Sequence, residues 1–122
     1  MYTSDKRKLL EFSSCYKDEN RAIGTNEVFI TPDNRPFDFL SFQPDMSFYE
    51  RYVFPRLADE KMELKFFTFY DDLNKNTFWF LHIISRCTYE VEAANVLGAL
   101  SMVEAANVAV EMYIRETGEK TK

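Results

Sequence analysis

The stretch Thr88 to Thr117, TYEVEAANVLGALSMVEAANVAVEMYIRET, decides how this chain is read. It runs about thirty residues with no proline and one glycine, and it is rich in Ala, Val, Leu, Met and Glu. That composition predicts a long helix over residues 88–117. At about 100° per residue, Glu90, Ala94, Ser101, Glu104, Val108, Glu111 and Arg115 fall on one narrow, solvent-facing side. Tyr89, Val96, Leu100, Val103, Val110 and Ile114 form a bulky stripe opposite. Beside it lies a second strip of Val91, Ala99, Met102, Ala106, Ala109 and Tyr113. So wide an apolar arc exceeds what one sheet contact needs.

Two expectations follow for that second strip. Either the short helices of the same chain cover it, or it packs against its twin in a homodimer with a self-complementary interface. Under the second, Ala99, Met102, Ala106, Ala109 and Tyr113 carry self-association. Glu92 and Asn107 intrude into the apolar arc and need partners, set a register or line a pocket. The pentapeptide Glu-Ala-Ala-Asn-Val occurs at 92–96 and again at 104–108. An offset of 12 residues turns the second copy by about 120° in a helix, so the copies share no face.

Upstream, the strand signals are shorter. Glu63–Tyr70 and Thr77–Ser85 flank a loop of turn residues, Asp71–Asn76, and predict a hairpin. The second arm is apolar on both faces, with Trp79, Leu81 and Ile83 on one and Phe78, Phe80 and Ile84 on the other. That pattern marks a strand covered on both sides. The long helix covers one side, and the cover of the other is left open. Glu27–Thr31 and Phe37–Phe42 predict a second hairpin around Pro32–Pro36. Asp5–Tyr16 reads as a short helix capped by Thr3, Ser4 or Asp5, although Lys6, Arg7 and Lys8 oppose its dipole. The polar run 17–27 ends that helix. Ser47 and Glu50 fit a capping box for a segment that Pro55 either kinks or splits.

The whole reads as one α+β domain over residues 1–122. A short helix at 5–16 is followed by a mainly sheet region at 27–85, with a helical insertion near 47–60. The long helix at 88–117 then packs against an antiparallel sheet of about four strands, ahead of a polar tail at 118–122.

Composition bounds the function. The chain has 122 residues and a net charge of −5, with basic residues dispersed rather than clustered. Sequence-independent nucleic-acid binding needs clustered Lys and Arg, so no direct nucleic-acid contact is expected. No apolar run reaches the roughly 18 residues a membrane span needs. The opening residues carry no signal-peptide pattern, which makes a cytoplasmic location the expectation. Cys15 and Cys87 lack metal-ligand spacing and read as free thiols.

The chemistry-bearing residues are sparse. His82 is the single histidine and sits on the doubly apolar strand, where a structural role outweighs that of a base. Asp71 and Asp72 are adjacent carboxylates in a loop of turn composition, as Asp18 and Glu19 are. With no second histidine, no cysteine cluster and no Gly-rich phosphate loop, no metal, cofactor or catalytic residue is assigned. The most suggestive stretch is 33–56, where Arg35, Arg51 and Arg56 interleave with Tyr49, Tyr52 and several Phe. Arg and aromatic residues concentrate in interface hot spots and clamp nucleotide-like ligands.

These features point to a non-catalytic protein-binding module of adaptor, small-chaperone or inhibitor type. It would act on an unidentified protein partner as a homodimer or higher oligomer. The alternative is a binder of an anionic metabolite or nucleotide through Arg35, Arg51, Arg56, Tyr49 and Tyr52 at a subunit interface. A third reading is a small enzyme using His82.

Overall fold

The computed structural model describes residues 3–23 and 26–120. The N-cap expected among Thr3, Ser4 and Asp5 lies outside the described side chains. The class is α+β, with two three-stranded antiparallel sheets, short helices between them and a long C-terminal helix packed on the second sheet. Among the described residues the strands number six, in two sheets, where about four in one were expected.

Helix α1 is Thr3–Phe12. It buries Leu9 and Leu10 and stops at Ser14, whose φ of 65° no helix continues. The basic residues of its first half have partners that offset the unfavourable dipole. Arg7 pairs with Glu27, and its guanidinium lies 4.6 Å from the centre of the Phe39 ring. Lys6 is buried beside the same ring.

Strand β1, Tyr16–Ile23, occupies the run expected to be a turn. It is an edge strand whose described side chains, 16–20, lie largely in solvent, so it needs no apolar alternation there, and that removed the signal. Strands β2, Asn26–Ile30, and β3, Pro36–Asp38, form the expected hairpin, pairing Phe29 with Phe37 and Ile30 with Pro36.

The helical insertion runs from Met46 to Asp59 in three pieces. Helix α2, Met46–Phe48, passes through a π-helical turn, Tyr49–Val53, into α3, Phe54–Asp59. Pro55 sits at the start of α3, where its missing N–H costs little, and the π turn absorbs the clash its ring would cause. The cap is Asp45, two residues before the expected Ser47, and its carboxylate accepts the Phe48 N–H at 2.8 Å.

Strands β4, Met62–Asp71, and β5, Asn76–Ser85, pair over their full ten residues. Here the reading of the long helix is corrected. Its first part is a strand, β6, Val91–Ala94, and helix α4 begins only at Met102 and runs to Lys120. The reason is the free edge of β5. Asn95 N donates to the Leu81 carbonyl, and Trp79 and Ala99 exchange backbone hydrogen bonds at 2.7 and 3.0 Å. Those β5 groups would stay unpaired if residues 91–99 were helical. Two left-handed residues, Tyr89 (φ 58°) and Gly98 (φ 72°), bracket the segment. The start of α4 is marked by Ser101, which accepts the Glu104 N–H, while the Glu104 carboxylate reaches back to the Leu100 N–H. At the other end, Gly118 lies inside α4 rather than capping it, so the expected tail is partly helical.

The core lies between the sheets. It joins Leu9 and Leu10 of α1, Phe29 of β2, Tyr49, Val53 and Leu57 of the insertion, Leu81 and Ile83 of β5, and Ala106, Ala109 and Tyr113 of α4.

Gly98 tests the redirected chain. A Cβ there would lie 3.1 Å from Phe80 Cζ and 3.2 Å from Phe78 Cβ, in a left-handed backbone. Gly98→Ala is expected to lower urea-unfolding stability by about 1–2 kcal/mol from the backbone alone. Gly118→Ala meets nothing within 4 Å. It should raise stability by up to about 1 kcal/mol if the helix extends through residue 118.

Candidate functional site

The stretch 33–56 divides in two. Its first group is held by the turn between β2 and β3. Buried Thr31 donates its hydroxyl to Asp33 and accepts the Arg35 N–H at 2.9 Å. The Tyr52 hydroxyl reaches the same Asp33 carboxylate at 2.8 Å, and Arg35 Nε lies 3.6 Å from its other oxygen. The hydrogen bond from Thr31, then that from Tyr52, hold the Asp33 carboxyl below the usual aspartate range. The turn is thereby pinned to the helical insertion one side chain away from Arg51.

Arg35, Arg51 and Tyr52 border an open hollow of about 280 Å³. Its wall is a run of rings. Phe37 and Phe42 lie 4.9 Å apart between ring centres, Phe42 and Phe48 5.0 Å, and Phe48 and Tyr52 5.2 Å. Arg51 is exposed and has no ion-pair or hydrogen-bond partner among the described residues.

The other two members are elsewhere. Tyr49 is fully buried and donates its hydroxyl to Asn107 of α4. Burial, then the nearby Glu111 charge, raises its phenol far above the ordinary tyrosine range. Arg56 ties α3 to the end of α1. It donates to the Phe12 carbonyl and the Ser14 hydroxyl, lies over the Phe12 ring at 5.3 Å and pairs with Glu60 at 3.6 Å. Tyr49 belongs to the core and Arg56 to a surface contact between α1 and α3, and neither lines the hollow.

The strip proposed for self-association is also taken within the chain. Ala99, Ala106, Ala109 and Tyr113 are buried, with Met102 partly so. Phe12 of α1 meets Tyr113 edge-on at 6.0 Å, and the Tyr113 hydroxyl donates to Glu60 beyond α3. Ala99 bridges to Trp79 of β5, and α4, which carries the rest of the strip, lies against β5, β6 and α1, so the strip is buried within the chain. Of the two polar intruders, Asn107 is the acceptor for Tyr49, and Glu92 stands in β6 near enough to Tyr113 to act on its titration.

His82 is half-buried on the outer face of the second sheet, its ring 4.8 Å from that of Phe67. Asp71 caps its own loop, accepting the Leu73 N–H at 3.0 Å and the Asn74 side chain at 2.8 Å. Among the described residues no three His, Cys, Asp or Glu side chains stand where they could share a metal ion. Cys15 is a buried free thiol and Cys87 an exposed one. Among the same residues no helix is long and apolar enough to cross a membrane.

A second surface went largely unread in the sequence. Helix α4 packs on the face of the second sheet that carries Leu81 and Ile83. The opposite face presents Phe67 and Phe69 of β4 beside Phe80 and Phe78 of β5. Phe69 is 60 % exposed and Phe67 45 %. Ile84 and Val91 extend the face across to β6. Only the β5 members were legible, from its doubly apolar alternation. Phe67 and Phe69 could have been found by carrying that alternation through the hairpin register.

Asp33 gives this site a pH signature. Its folded pKa is depressed, so its contribution is present above the unfolded value of about 4 and is lost as pH falls through that range. Between about pH 6 and pH 3, Asp33→Asn is expected to show a shallower loss of urea-unfolding stability than the parent chain. Parallel curves would mean that the turn does not depend on the charged carboxylate. Comparison of the chain with protein-family models, with curated proteins and with solved structures returned no match.

Proposed function

We propose that this chain is a non-catalytic protein-binding module that acts as a homodimer, two copies packing the outer faces of their second sheets together. The observation that carries the reading is the aromatic group of exposed Phe67 and Phe69 beside half-buried Phe78 and Phe80, on a sheet face that no helix among the described residues covers. Exposed apolar patches mark interaction surfaces, and aromatic residues are enriched at interface centres. Sheets stack face to face at about 10 Å with their side chains interleaved, so a second sheet is a natural cover.

A second copy fits this face by charge as well. Next to the aromatic group, Glu63 and Lys65 project from the same side of β4, opposite Ile84 and His82. The pair is neutral in sum although the chain carries −5. Two copies that meet on this face therefore bring no excess charge of one sign against each other at its rim. The partner class for an adaptor or inhibitor role is another protein, met by surfaces that the dimer leaves open.

The test is mass in solution. Light scattering at about 100 μM should give twice the 14.5 kDa chain mass. Phe69→Lys should give the single-chain mass, with an unfolding midpoint that no longer depends on protein concentration. Lys65→Glu should weaken association at low salt, and adding Glu63→Lys should restore it. A strict monomer for the parent chain at that concentration overturns the reading.

A further inference from the structure

The hollow beside the β2–β3 turn is independent of the sheet face and has a different chemistry. We propose that it is a binding site for a small anion carrying one planar ring, of the size of phenyl phosphate. Three observations converge on that class.

The first is size. At about 280 Å³ the hollow lies just below the range of drug-sized ligand sites, roughly 300–1,000 Å³. That volume has room for one ring and one anionic group.

The second is charge. The lining charges are Arg35, Arg51 and Asp45, and Asp45 is engaged in capping the Phe48 N–H. Arg35 is offset by Asp33 and Asp45 keeps its charge, so Arg51 is the lining cation left without a close counter-charge among the described residues. Arg35 meets Asp33 through Nε, which leaves its terminal nitrogens as donors. Arg51 has no partner among the described residues. Two guanidinium groups beside one hollow suit a phosphate or carboxylate, which they hold through paired N–H donors.

The third is the wall. Phe37, Phe42, Phe48 and Tyr52 form a continuous series of rings along it. A ligand ring gains edge or offset contacts there while its anionic group faces the arginines. The Tyr52 hydroxyl is committed to Asp33, so Tyr52 contributes ring surface rather than a donor.

Titration of labelled protein with phenyl phosphate, followed by nuclear magnetic resonance, tests the site. Saturable shifts are expected at the Phe37 and Phe48 rings and the Arg51 side chain, with a dissociation constant of about 1 mM or tighter. Phenol and inorganic phosphate, each lacking one half of the ligand, should bind at least about tenfold more weakly. Arg51→Gln, at an exposed position with no ion pair or hydrogen bond among the described residues, should weaken phenyl phosphate by about tenfold or more, the effect of one charge-assisted hydrogen bond. Three results overturn the proposal: no saturable shift at about 10 mM, inorganic phosphate binding as tightly as phenyl phosphate, or an unchanged affinity in Arg51→Gln.

Discussion

The constraint on which this structure depends is the pairing of β5. Its side chains are apolar on both faces, so it must be central, and a central strand has two edges of backbone N–H and C=O groups to satisfy. Strand β4 satisfies one edge along its whole length. The other edge draws in β6, Asn95 and Ala99. Residues 91–99 have good helix formers among them, yet they leave the helix because the alternative is a buried strand with unpaired groups. An unsatisfied buried group costs about 1–3 kcal/mol, while the helix propensities at stake are a few tenths per residue.

The arrangement of the helices follows from that diversion. Shortened to Met102–Lys120, α4 lies on the inner face of the second sheet, and its small residues let α1 and the helical insertion approach closely. The strip that looked like an assembly surface becomes the centre of the core. The outer face is left to the chain at Gly98, which lies against Phe78 and Phe80, and to solvent at Phe67 and Phe69. Apolar surface unused by helix packing reappears on the other side of the same sheet, in Phe67, Phe69, Phe78 and Phe80.

Much of the fold was legible in the sequence, because hydrophobic alternation and turn residues are local signals. Both hairpins, the helical character of 46–59 and the C-terminal helix were predicted, and the two-sided β5 pointed to a face in need of cover. Strand β1 was illegible because an edge strand in solvent has no pattern to read. The candidate site was half legible. Arg35, Arg51 and Tyr52 were nominated with Arg56 and Tyr49, but the directions of the four on the helical insertion follow a run that includes the π turn at 49–53. That turn shifts the helical phase, sending Tyr49 into the core and Arg56 across to Phe12 while Arg51 stays at the hollow. Spacing alone does not reveal such a shift.

The repeated pentapeptide shows where local information ends. In its first copy, Glu92–Val96, the leading residues belong to strand β6, and Asn95 donates from its side chain to the Trp79 carbonyl. In its second copy, Glu104–Val108, the same five residues are helical, and Asn107 accepts from Tyr49. The sequence by itself determined the α+β class, the hairpins, the apolar identity of β5 and the helical end of the chain, since each rests on periodicity and turn chemistry within a short window. Only the tertiary structure decided which copy became strand and which face stayed open. Those choices depend on backbone groups of β5 more than ten residues away, whose need for partners outweighs local preference.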